Sequence, residues 1–310
     1  MDQPSVAIVT PIFNRIGNLD RFLAAVKSID YQNYRVVIVD DGSTDGSSEH
    51  LRANHPDVVL LRGNGQLWWA GSTNLGIQWA LENRFDYVLT YNDDQVCAPD
   101  LLLELTGHTK KYPDAVLSPL IYYMHEPKRI LSGGIRLDAN TGETSGVGNE
   151  KTDVVVPSPY EVDGVPGYAM LIPVAVLRNA GPFYNARFPQ IYMELEFCLR
   201  ARRHGFRCLI VPTTRVWNDR EDKIDDPVRS ANPIRRFKWY VSSPKSHLHF
   251  GQNMHLARLL YQQAHGRLHL LPALRFAFRY LCKTLALSLM SKRYARALKK
   301  RLGFNLDRWA

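Results

Sequence analysis

The N-terminal part of the chain alternates between two patterns of hydrophobic and polar positions. Short runs of consecutive apolar residues have the length and composition of buried strands. Between these runs, apolar residues recur at helical spacing, as Leu19, Phe22, Leu23 and Val26 do. The predicted strands cover residues 6–10, 36–39, 58–61 and 87–90, and the predicted helices cover 19–29, 47–53 and 73–81. Strands separated by helices indicate βαβ units, and therefore an α/β fold with a parallel sheet and right-handed crossovers.

Polar residues cluster directly after three of these strands, at positions 10–15, 40–45 and 92–94. The carboxyl ends of parallel strands lie at one edge of a sheet, and the ligands of such folds bind beyond that edge. The sequence therefore predicts a binding site where the three polar segments meet.

The turn after the first strand argues against the dinucleotide-binding dehydrogenases. Those enzymes need a Gly-x-Gly turn at this place, so that the backbone can approach a pyrophosphate. This chain has Thr-Pro-Ile-Phe-Asn-Arg at positions 10–15, and its proline and bulky side chains would block that approach.

The composition is that of a globular protein. Of the 310 residues, 45% are hydrophobic and 22% are charged, which argues against extensive disorder. The length predicts one domain with an appendage. The net charge of +9 suits a nucleic acid, an anionic membrane or a phosphorylated small molecule without choosing among them. Basic residues are concentrated at positions 283–301.

The lack of a recognisable targeting signal and the spacing of the cysteines predict a cytoplasmic location. No run of about 20 apolar residues predicts a spanning helix. The N-terminus shows no basic segment followed by an apolar one. The spacing of the cysteines indicates neither disulfides nor a metal site, so we expect reduced thiols at Cys97, Cys198, Cys208 and Cys282.

Acidic residues dominate two of the three polar segments. Each cluster alone is explained by a turn or a helix cap. Together they would surround a phosphate-bearing ligand with carboxylates, which requires a bridging hard cation. The sequence therefore predicts bound Mg²⁺ or Mn²⁺.

Five motifs in order resemble the inverting family-two glycosyltransferases with the GT-A fold, and in particular their rhamnosyltransferase-like members. The motifs lie at residues 9–15, 39–45, 71–77, 92–94 and 194–202, and the resemblance covers about residues 5–217. It implies a mixed, mostly parallel sheet flanked by helices, followed by a C-terminal helical extension.

The resemblance also implies roles for individual residues. Asn92 and Asp94 occupy the outer places of a metal motif that is usually Asp-x-Asp, and Asp94 is the expected ligand. Asp41 is expected to bond the pyrimidine ring. For Asp93, we favour a solvated neighbour over a direct contact. The donor-site residues are Thr10, Pro11, Asn14, Arg15, Asp41, Ser43, Trp69, Asn74, Asn92 and Asp93.

A second departure from the family pattern follows Trp217. Many relatives have a histidine there that completes the metal site, whereas this chain has Asn218 and Asp219. Either an oxygen ligand substitutes, for which we assign Asn218, or the metal is held more loosely.

Inverting transfer is a single displacement, so a base must take the acceptor proton. The residues after Met193 have a helical pattern that ends at Gly205, and Glu194 lies at the helix start, where the macrodipole favours a carboxylate. The family pattern implies that Glu194 is the base and that Glu196 makes a supporting contact. Without the family, both are equally well explained as first-turn acids.

Trp68 and Trp69 stand between two glycines in a segment expected to be a polar loop. They either plug the sheet edge or form a wall of the sugar subsite, since aromatic faces pack against pyranose rings. Similar tryptophan pairs occur in members that resemble dTDP-rhamnose transferases, so the resemblance slightly favours a deoxysugar as the transferred sugar.

The predicted domains are a catalytic domain at 1–218, with the donor site in 1–100 and the acceptor and base region in 101–218, and an extension at 219–310. Residues 219–238 are expected to form a mobile loop. Residues 274–289 predict a helix with one apolar and one basic face. It either lies on the anionic inner face of the cell membrane or packs on the catalytic domain, and both interpretations stay open.

The predicted function is metal-dependent transfer of a sugar, such as rhamnose, from a UDP- or dTDP-linked donor. The expected acceptor is a glycan, a glycolipid or another lipid-linked glycan, or a protein glycan, in cell-surface polysaccharide biosynthesis. No nucleic-acid partner is predicted. One alternative is a catalytically inactive glycan-binding module, which Asn92 keeps open. The other is a nucleotidyltransferase, although the glycine-rich basic loop that it needs is missing.

Overall fold

The computed structural model describes residues 3–138, 144–149, 151–152, 158–219, 232–246 and 249–265, together with 278, 280–282 and 284–285. The chain divides into two compact units. The first comprises Met1–Asp138, Glu143–Pro189 and Met193–Arg220, and the second comprises the remainder.

The first unit begins with the predicted alternation of strands and helices. The four strands are parallel and lie side by side in the order β4-β1-β2-β3. The elements are β1 (Val6–Ile12), α1 (Ile16–Lys27), β2 (Tyr34–Asp40), α2 (Ser47–Asn54), β3 (Val59–Arg62), α3 (Trp68–Glu82) and β4 (Tyr87–Tyr91).

Burial follows the hydrophobic pattern of these segments. The helical face predicted for α1 is the one that packs on the sheet, with Leu19, Phe22, Leu23 and Val26 fully buried. Each such side chain contributes on the order of 1.5–3 kcal/mol. The polar ends of β1, β2 and β4 therefore point to one edge of the sheet.

Two boundaries differ from the prediction. β1 continues through Pro11 to Ile12, because its pairing with β4 ends at Val9 while its pairing with β2 continues. On the side without a neighbouring strand, the missing proline N–H removes no ladder hydrogen bond. α3 begins at Trp68, so Trp68 and Trp69 form its first turn and are not part of a loop.

The second half of this unit converts the parallel sheet into a mixed one. β11 is antiparallel to β4 and to β6, and β6 is parallel to β12. The complete path is β10-β12-β6-β11-β4-β1-β2-β3, with β5 paired to β12 and β7 to β6, while β8 and β9 form a separate pair. The elements are β5 (Gln95–Cys97), α4 (Leu101–Thr109), β6 (Ala115–Tyr123), β7 (Ile130–Ser132), β8 (Ile135–Leu137), β9 (Thr144–Gly146), β10 (Tyr160–Val162), β11 (Ala169–Pro173), α5 (Val174–Ala180), α6 (Met193–Arg203) and β12 (Arg207–Asn218).

β12 extends well beyond the apolar run that begins at Cys208. Its register against β6 shifts between Val211 and Arg215, and the strand then continues to Asn218, which pairs with Gln95 of β5. This irregularity carries the end of β12 to the 92–94 segment.

The second unit contains α7 (Pro233–Ser242) and α8 (Phe250–His265). The prediction of a loop for 219–238 is wrong from Pro233 onward. Asn232 caps α7 by accepting a hydrogen bond from the Arg235 N–H at 2.9 Å, and Pro233 occupies the first helical position. These start signals outweigh the charge-rich composition.

The predicted helix at 274–289 and the basic segment at 283–301 lie mostly outside the described residues. Those of its residues that are described are helical, with Phe278, Leu281 and Leu285 exposed and Tyr280 and Thr284 buried. In the described part of the chain, no helix has the length and apolarity needed to cross a membrane.

Candidate functional site

Arg15 and Asp93 connect two of the predicted polar segments. The Arg15 Nε atom donates to the Asp93 Oδ2 atom at 2.5 Å, from the loop after β1 to the loop after β4. Asp93 is only 7% exposed. The interpretation of Asp93 as a solvated neighbour is therefore wrong, because the guanidinium compensates its charge and permits its burial.

Asp94 meets the end of β12. Its Oδ1 atom accepts a hydrogen bond from Asn218 Nδ2 at 3.2 Å, and its backbone carbonyl accepts one from the Asp219 N–H at 2.9 Å. Asp219 in turn pairs with Arg21 at 2.8 Å. Burial raises the pKa of Asp94, and the neighbouring Asp93 carboxylate raises it further. A cation at this carboxylate would relieve both effects.

Asn92 is held by Trp69. The indole Nε1 atom donates to Asn92 Oδ1 at 2.8 Å, and the indole ring meets Phe183 edge-on with centroids 5.4 Å apart. Trp69 therefore lies at the sheet edge beside the 92–94 segment. Its neighbour Trp68 is exposed and has a positive φ of 57°, an unusual backbone conformation for a bulky residue.

Glu194 lies in the first turn of α6, and its Oε2 atom is buried with no hydrogen-bond partner among the described residues. A Cβ atom on Gly167 would lie 3.0 Å from Glu194 Cβ and 3.5 Å from the Trp69 ring, so all three residues meet at one point. Burial raises the pKa of Glu194. A buried, unpaired carboxylate is costly, and such groups concentrate at functional sites.

Glu196 has a different environment. It is buried, and its two oxygens accept hydrogen bonds from Nε and Nη2 of Arg200, each at 2.8 Å. Arg200 also donates to the carbonyls of Ala180, Gly181 and Pro182. Glu196 thus fixes α6 to the end of α5, a structural contact that the predicted supporting role did not include.

Comparison with known proteins identifies the family. The model of "Glycosyl transferase family 2" matches residues 7–172, more than half of the chain. The chain belongs to glycosyltransferase family 2. This match covers the sheet edge with Arg15, Asp93 and Asp94, whereas Glu194 and Asn218 lie beyond it.

A curated relative and two solved structures are similar to this chain, and the two structures compare at the level of the fold. An "Uncharacterized glycosyltransferase" from Haemophilus influenzae is 28% identical over 105 residues, which are 33% of this chain and 41% of the relative. The chain thus matches less than half of that protein's length. Chains with a similar fold include GalNAc-T7 with UDP, GalNAc and Mn²⁺ (TM-score 0.56, 15% identity, 94% of this chain and 57% of the other). A mannosyltransferase from Pyrobaculum calidifontis with GDP-Man and Mn²⁺ is also similar (TM-score 0.55, 17% identity, 99% and 83%). The predicted GT-A fold is confirmed.

In this family 2 chain, Asp41 organises the loop before α3. Its Oδ1 atom accepts from the Gly65 N–H at 2.8 Å, and its Oδ2 atom accepts from the N–H groups of Leu67 at 2.8 Å and Trp68 at 3.0 Å. A Cβ on Gly63 would overlap Asp41 Oδ1 at 2.4 Å. Asp41 therefore caps α3 and starts it at Trp68. The glycines at 63 and 65 were the sequence signal for this close approach.

Three further predicted donor-site residues hold loops together. Asn14 accepts from the Thr44 N–H at 2.8 Å, and its own N–H donates to Ser43 Oγ at 2.8 Å. The Asn74 side chain forms two hydrogen bonds with the backbone of Phe183. It donates to the carbonyl at 2.8 Å and accepts from the N–H at 2.9 Å. Asn74 also lines a pocket of about 650 Å³ beside α3 that contains neither Asp94 nor Glu194.

Thr10 and Pro11 lie near the C-terminal end of β1. Thr10 is fully buried, and none of the described residues forms a hydrogen bond with its Oγ1 atom. Among the predicted residues, the structure thus brings together Arg15, Asp93, Asp94 and Asn218 in one group. It brings together Trp69, Asn92 and Glu194 in another, joined to the first through the 92–94 segment.

Proposed function

We propose that this chain transfers a sugar from a nucleoside-diphosphate donor to an acceptor hydroxyl. In this proposal Asp94 holds a divalent cation, and Glu194 acts as the base. The observation that carries the proposal is the Oε2 atom of Glu194. Within the part of the chain that the structure describes, this atom is buried without a hydrogen-bond partner beside Trp69. Trp69 in turn donates a hydrogen bond to Asn92, the first residue of the predicted metal motif. An unpaired carboxylate oxygen is free to take a proton.

The raised pKa of Glu194 suits this role. A base works best when its pKa lies closer to the operating pH than that of an exposed glutamate. Glu196 cannot easily serve, because both of its oxygens are already bonded to Arg200. We therefore assign Glu194 as the base and Glu196 as the residue that fixes α6.

The side chains around Asp94 fit Mg²⁺ or Mn²⁺. Carboxylate and amide oxygens are the ligands that these cations prefer. Asp94 and Asn218 are already within 3.2 Å, and turning the Asn218 amide would present its oxygen. When bound, the cation would neutralise the charge of the departing diphosphate. Arg15, held by Asp93, would add a positive charge beside the same phosphates.

The donor is proposed to be a UDP- or dTDP-sugar that lies along Thr10, Pro11, Asn14, Arg15 and Ser43. The two solved structures named above contain UDP or GDP-Man together with Mn²⁺, which supports a nucleotide-sugar donor. Asp41 already accepts hydrogen bonds from three backbone N–H groups, so a contact with the pyrimidine ring would be made in addition to these bonds. Trp69 is the proposed wall of the sugar subsite.

The finer proposals follow from the resemblance of the motifs. The resemblance to the inverting members of the family supports inversion at the anomeric carbon, and the tryptophan pair supports rhamnose or another deoxysugar. The acceptor would be a glycan, a glycolipid or a protein glycan in cell-surface polysaccharide biosynthesis. Residues 1–218 would form the catalytic domain, and 219–310 an extension at the membrane periphery.

A donor panel tests the proposal. Thermal unfolding is recorded with UDP-, dTDP- and GDP-linked sugars, each with and without Mn²⁺, since a ligand that binds the folded state raises Tm. The donor class is the one whose shift depends on Mn²⁺. The anomeric configuration of the transferred sugar, read by NMR, then tests inversion. A protein that binds glycans but responds to no donor would be the glycan-binding module instead.

A further inference from the structure

One carboxylate and two imidazoles meet between α1 and α2. Asp20 belongs to α1, His50 to α2, and His55 is the residue at which α2 ends. The Oδ1 atom of Asp20 lies 2.8 Å from His50 Nε2 and 3.0 Å from His55 Nε2. The three ligand atoms lie within 4.8 Å of one another.

Two of the three distances between the ligand atoms are close to those of a metal site, and the third is within 4.8 Å. In a tetrahedral zinc site with bonds of about 2.0–2.1 Å, neighbouring ligand atoms are about 3.3 Å apart. The distances from Asp20 Oδ1 are shorter by a few tenths of an ångström, as expected where hydrogen bonds replace metal bonds. The Asp20 side chain is 69% exposed, so it can rotate to open the cluster, and water can reach the remaining coordination position.

The protonation states are compatible with metal binding. Both imidazoles face the same carboxylate oxygen, so each carries its proton on Nε2 and donates it to Asp20. Asp20 thus offers a carboxylate oxygen and the two rings offer nitrogens, which are ligand types that Zn²⁺ takes in proteins.

A cation would displace each ring proton from Nε2 to Nδ1. At His50, the Asn54 amide nitrogen lies 3.2 Å from Nδ1 and would turn to present its oxygen as an acceptor, in exchange for its 3.0 Å hydrogen bond to the His50 carbonyl. At His55, Nδ1 is buried and has no hydrogen-bond partner in the ranges that the structure describes, so moving the proton there breaks no hydrogen bond seen in them.

We propose that Asp20, His50 and His55 form a second metal site, which takes Zn²⁺ or another divalent transition metal that prefers nitrogen and oxygen ligands. Two imidazoles distinguish it chemically from Asp94 and Asn218, whose oxygens suit Mg²⁺ or Mn²⁺. The site goes beyond the proposed transfer reaction and does not depend on it.

The location gives this site a structural effect. α1 and α2 directly follow the loops that carry Arg15 and Asp45. Those loops are already linked, because the Ile16 N–H donates to Asp45 Oδ2 at 3.0 Å and the Arg15 N–H donates to Ser47 Oγ at 3.2 Å. A cation bridging the two helices would hold these loops together more firmly and would stabilise the folded state.

Zinc titration of the full chain tests the proposal. Asp94→Ala protein is stripped with a chelator, desalted and titrated with Zn²⁺ against a chromophoric competitor, so that the proposed catalytic cation site does not contribute. We expect one Zn²⁺ per chain. Adding His50→Gln or His55→Gln should weaken binding at least tenfold, whereas adding His204→Gln, at an exposed histidine outside the cluster, should leave it unchanged. Equal affinity with and without His50→Gln would overturn the site.

Cobalt spectroscopy covers the case in which a histidine variant fails to fold. One equivalent of Co²⁺ added to Asp94→Ala protein should give visible d–d bands of imidazole-bound cobalt. Asp20→Asn, at an exposed position, should shift or weaken those bands while circular dichroism stays unchanged. The absence of any d–d band at one equivalent would contradict the proposal.

Discussion

Asn218 donates a hydrogen bond to Asp94 across 3.2 Å, although 124 residues separate them in the chain. The contact exists because β12 shifts register after Val211 and continues to pair with β5. It places an amide beside Asp94, the carboxylate of the 92–94 segment that forms no ion pair with an arginine among the described residues. The two residues form the centre of the proposed cation site.

Replacement of Asp94 tests the cation site directly. Asp94→Ala should abolish transfer and remove the Mn²⁺ dependence of donor binding in calorimetry, because the main oxygen ligand is lost. The fold should survive, since the side chain lies at a strand end. Asp114→Asn removes a carboxylate that is paired with Arg207 elsewhere in the unit and should leave donor binding unchanged. Unaltered Mn²⁺-dependent affinity in folded Asp94→Ala would refute the assignment.

Asn218 should tune the affinity for the cation. Asn218→Asp adds a charged oxygen ligand and should lower the Mn²⁺ concentration for half-maximal transfer about tenfold, whereas Asn218→Ala should raise it by a similar factor. Both variants are measured by varying Mn²⁺ at saturating donor. Identical Mn²⁺ curves for the three proteins would show that Asn218 is no ligand.

Glu194→Gln should leave donor binding near that of the unmodified protein and reduce turnover by roughly 10²–10⁴, the usual contribution of a general base. The variant keeps the shape of the side chain and removes its ability to accept a proton. Donor affinity by calorimetry and turnover by product release separate the two effects. Near-normal turnover would exclude Glu194 as the base.

Glu196→Gln is the matched comparison and should act on stability. Arg200 would keep a charge without its carboxylate partner, at a cost of about 1–3 kcal/mol. The free energy of unfolding, measured in denaturant, should fall, while turnover of the folded fraction should exceed that of Glu194→Gln. The opposite order of turnover would mean that the two roles are exchanged.

The raised pKa of Glu194 predicts opposite effects of pH on activity and stability. The base must be ionised, so kcat/KM should rise as pH increases through its pKa, and Glu194→Gln should lose this dependence. Because burial disfavours the charged form, the folded state binds the Glu194 proton more tightly than the unfolded state. The resulting stabilisation is complete below the unfolded pKa of about 4.3 and is lost as pH rises through the pKa of the folded state. Glu194→Gln should therefore raise Tm at neutral pH, with an advantage that shrinks in acid. A Tm difference that is independent of pH would contradict this account.

The basic C-terminal segment should bind anionic membranes if the extension lies at the membrane periphery. Each lysine or arginine near the surface would contribute on the order of 1 kcal/mol, weakened by salt. Full-length protein should sediment with anionic liposomes at low salt and be released at high salt. Replacing Lys299, Lys300 and Arg301 by glutamine should weaken sedimentation. Full-length protein that stays in solution at low salt would instead favour packing of the helix within the fold.

The parallel half of the sheet could be predicted from the sequence because its signals are local. The apolar runs of β1 to β4 and the helical face of α1 each lie within one element, and the family resemblance supplied the GT-A fold. The start of α3 could not be predicted, because it depends on Asp41 accepting hydrogen bonds from residues 24 to 27 positions further along.

The candidate site shows the same division. The segments that form it could be predicted, but the burial of Asp93 depends on Arg15, 78 residues away, and the Asp94 contact depends on the register shift in β12. The pairing of Glu196 with Arg200 was available in the sequence, since residues four apart share a helix face. The family pattern instead implied a supporting contact at the site for Glu196.

Release of nucleoside diphosphate tests the central claim most directly. Purified full-length protein is incubated with the donor selected by thermal shift, with Mn²⁺ or with a chelator, alongside Asp94→Ala and Glu194→Gln. The account predicts release that requires Mn²⁺, is absent in Asp94→Ala and falls by roughly 10²–10⁴ in Glu194→Gln, although the latter still binds donor. Equal release by all three proteins, or release that persists in chelator, would contradict it.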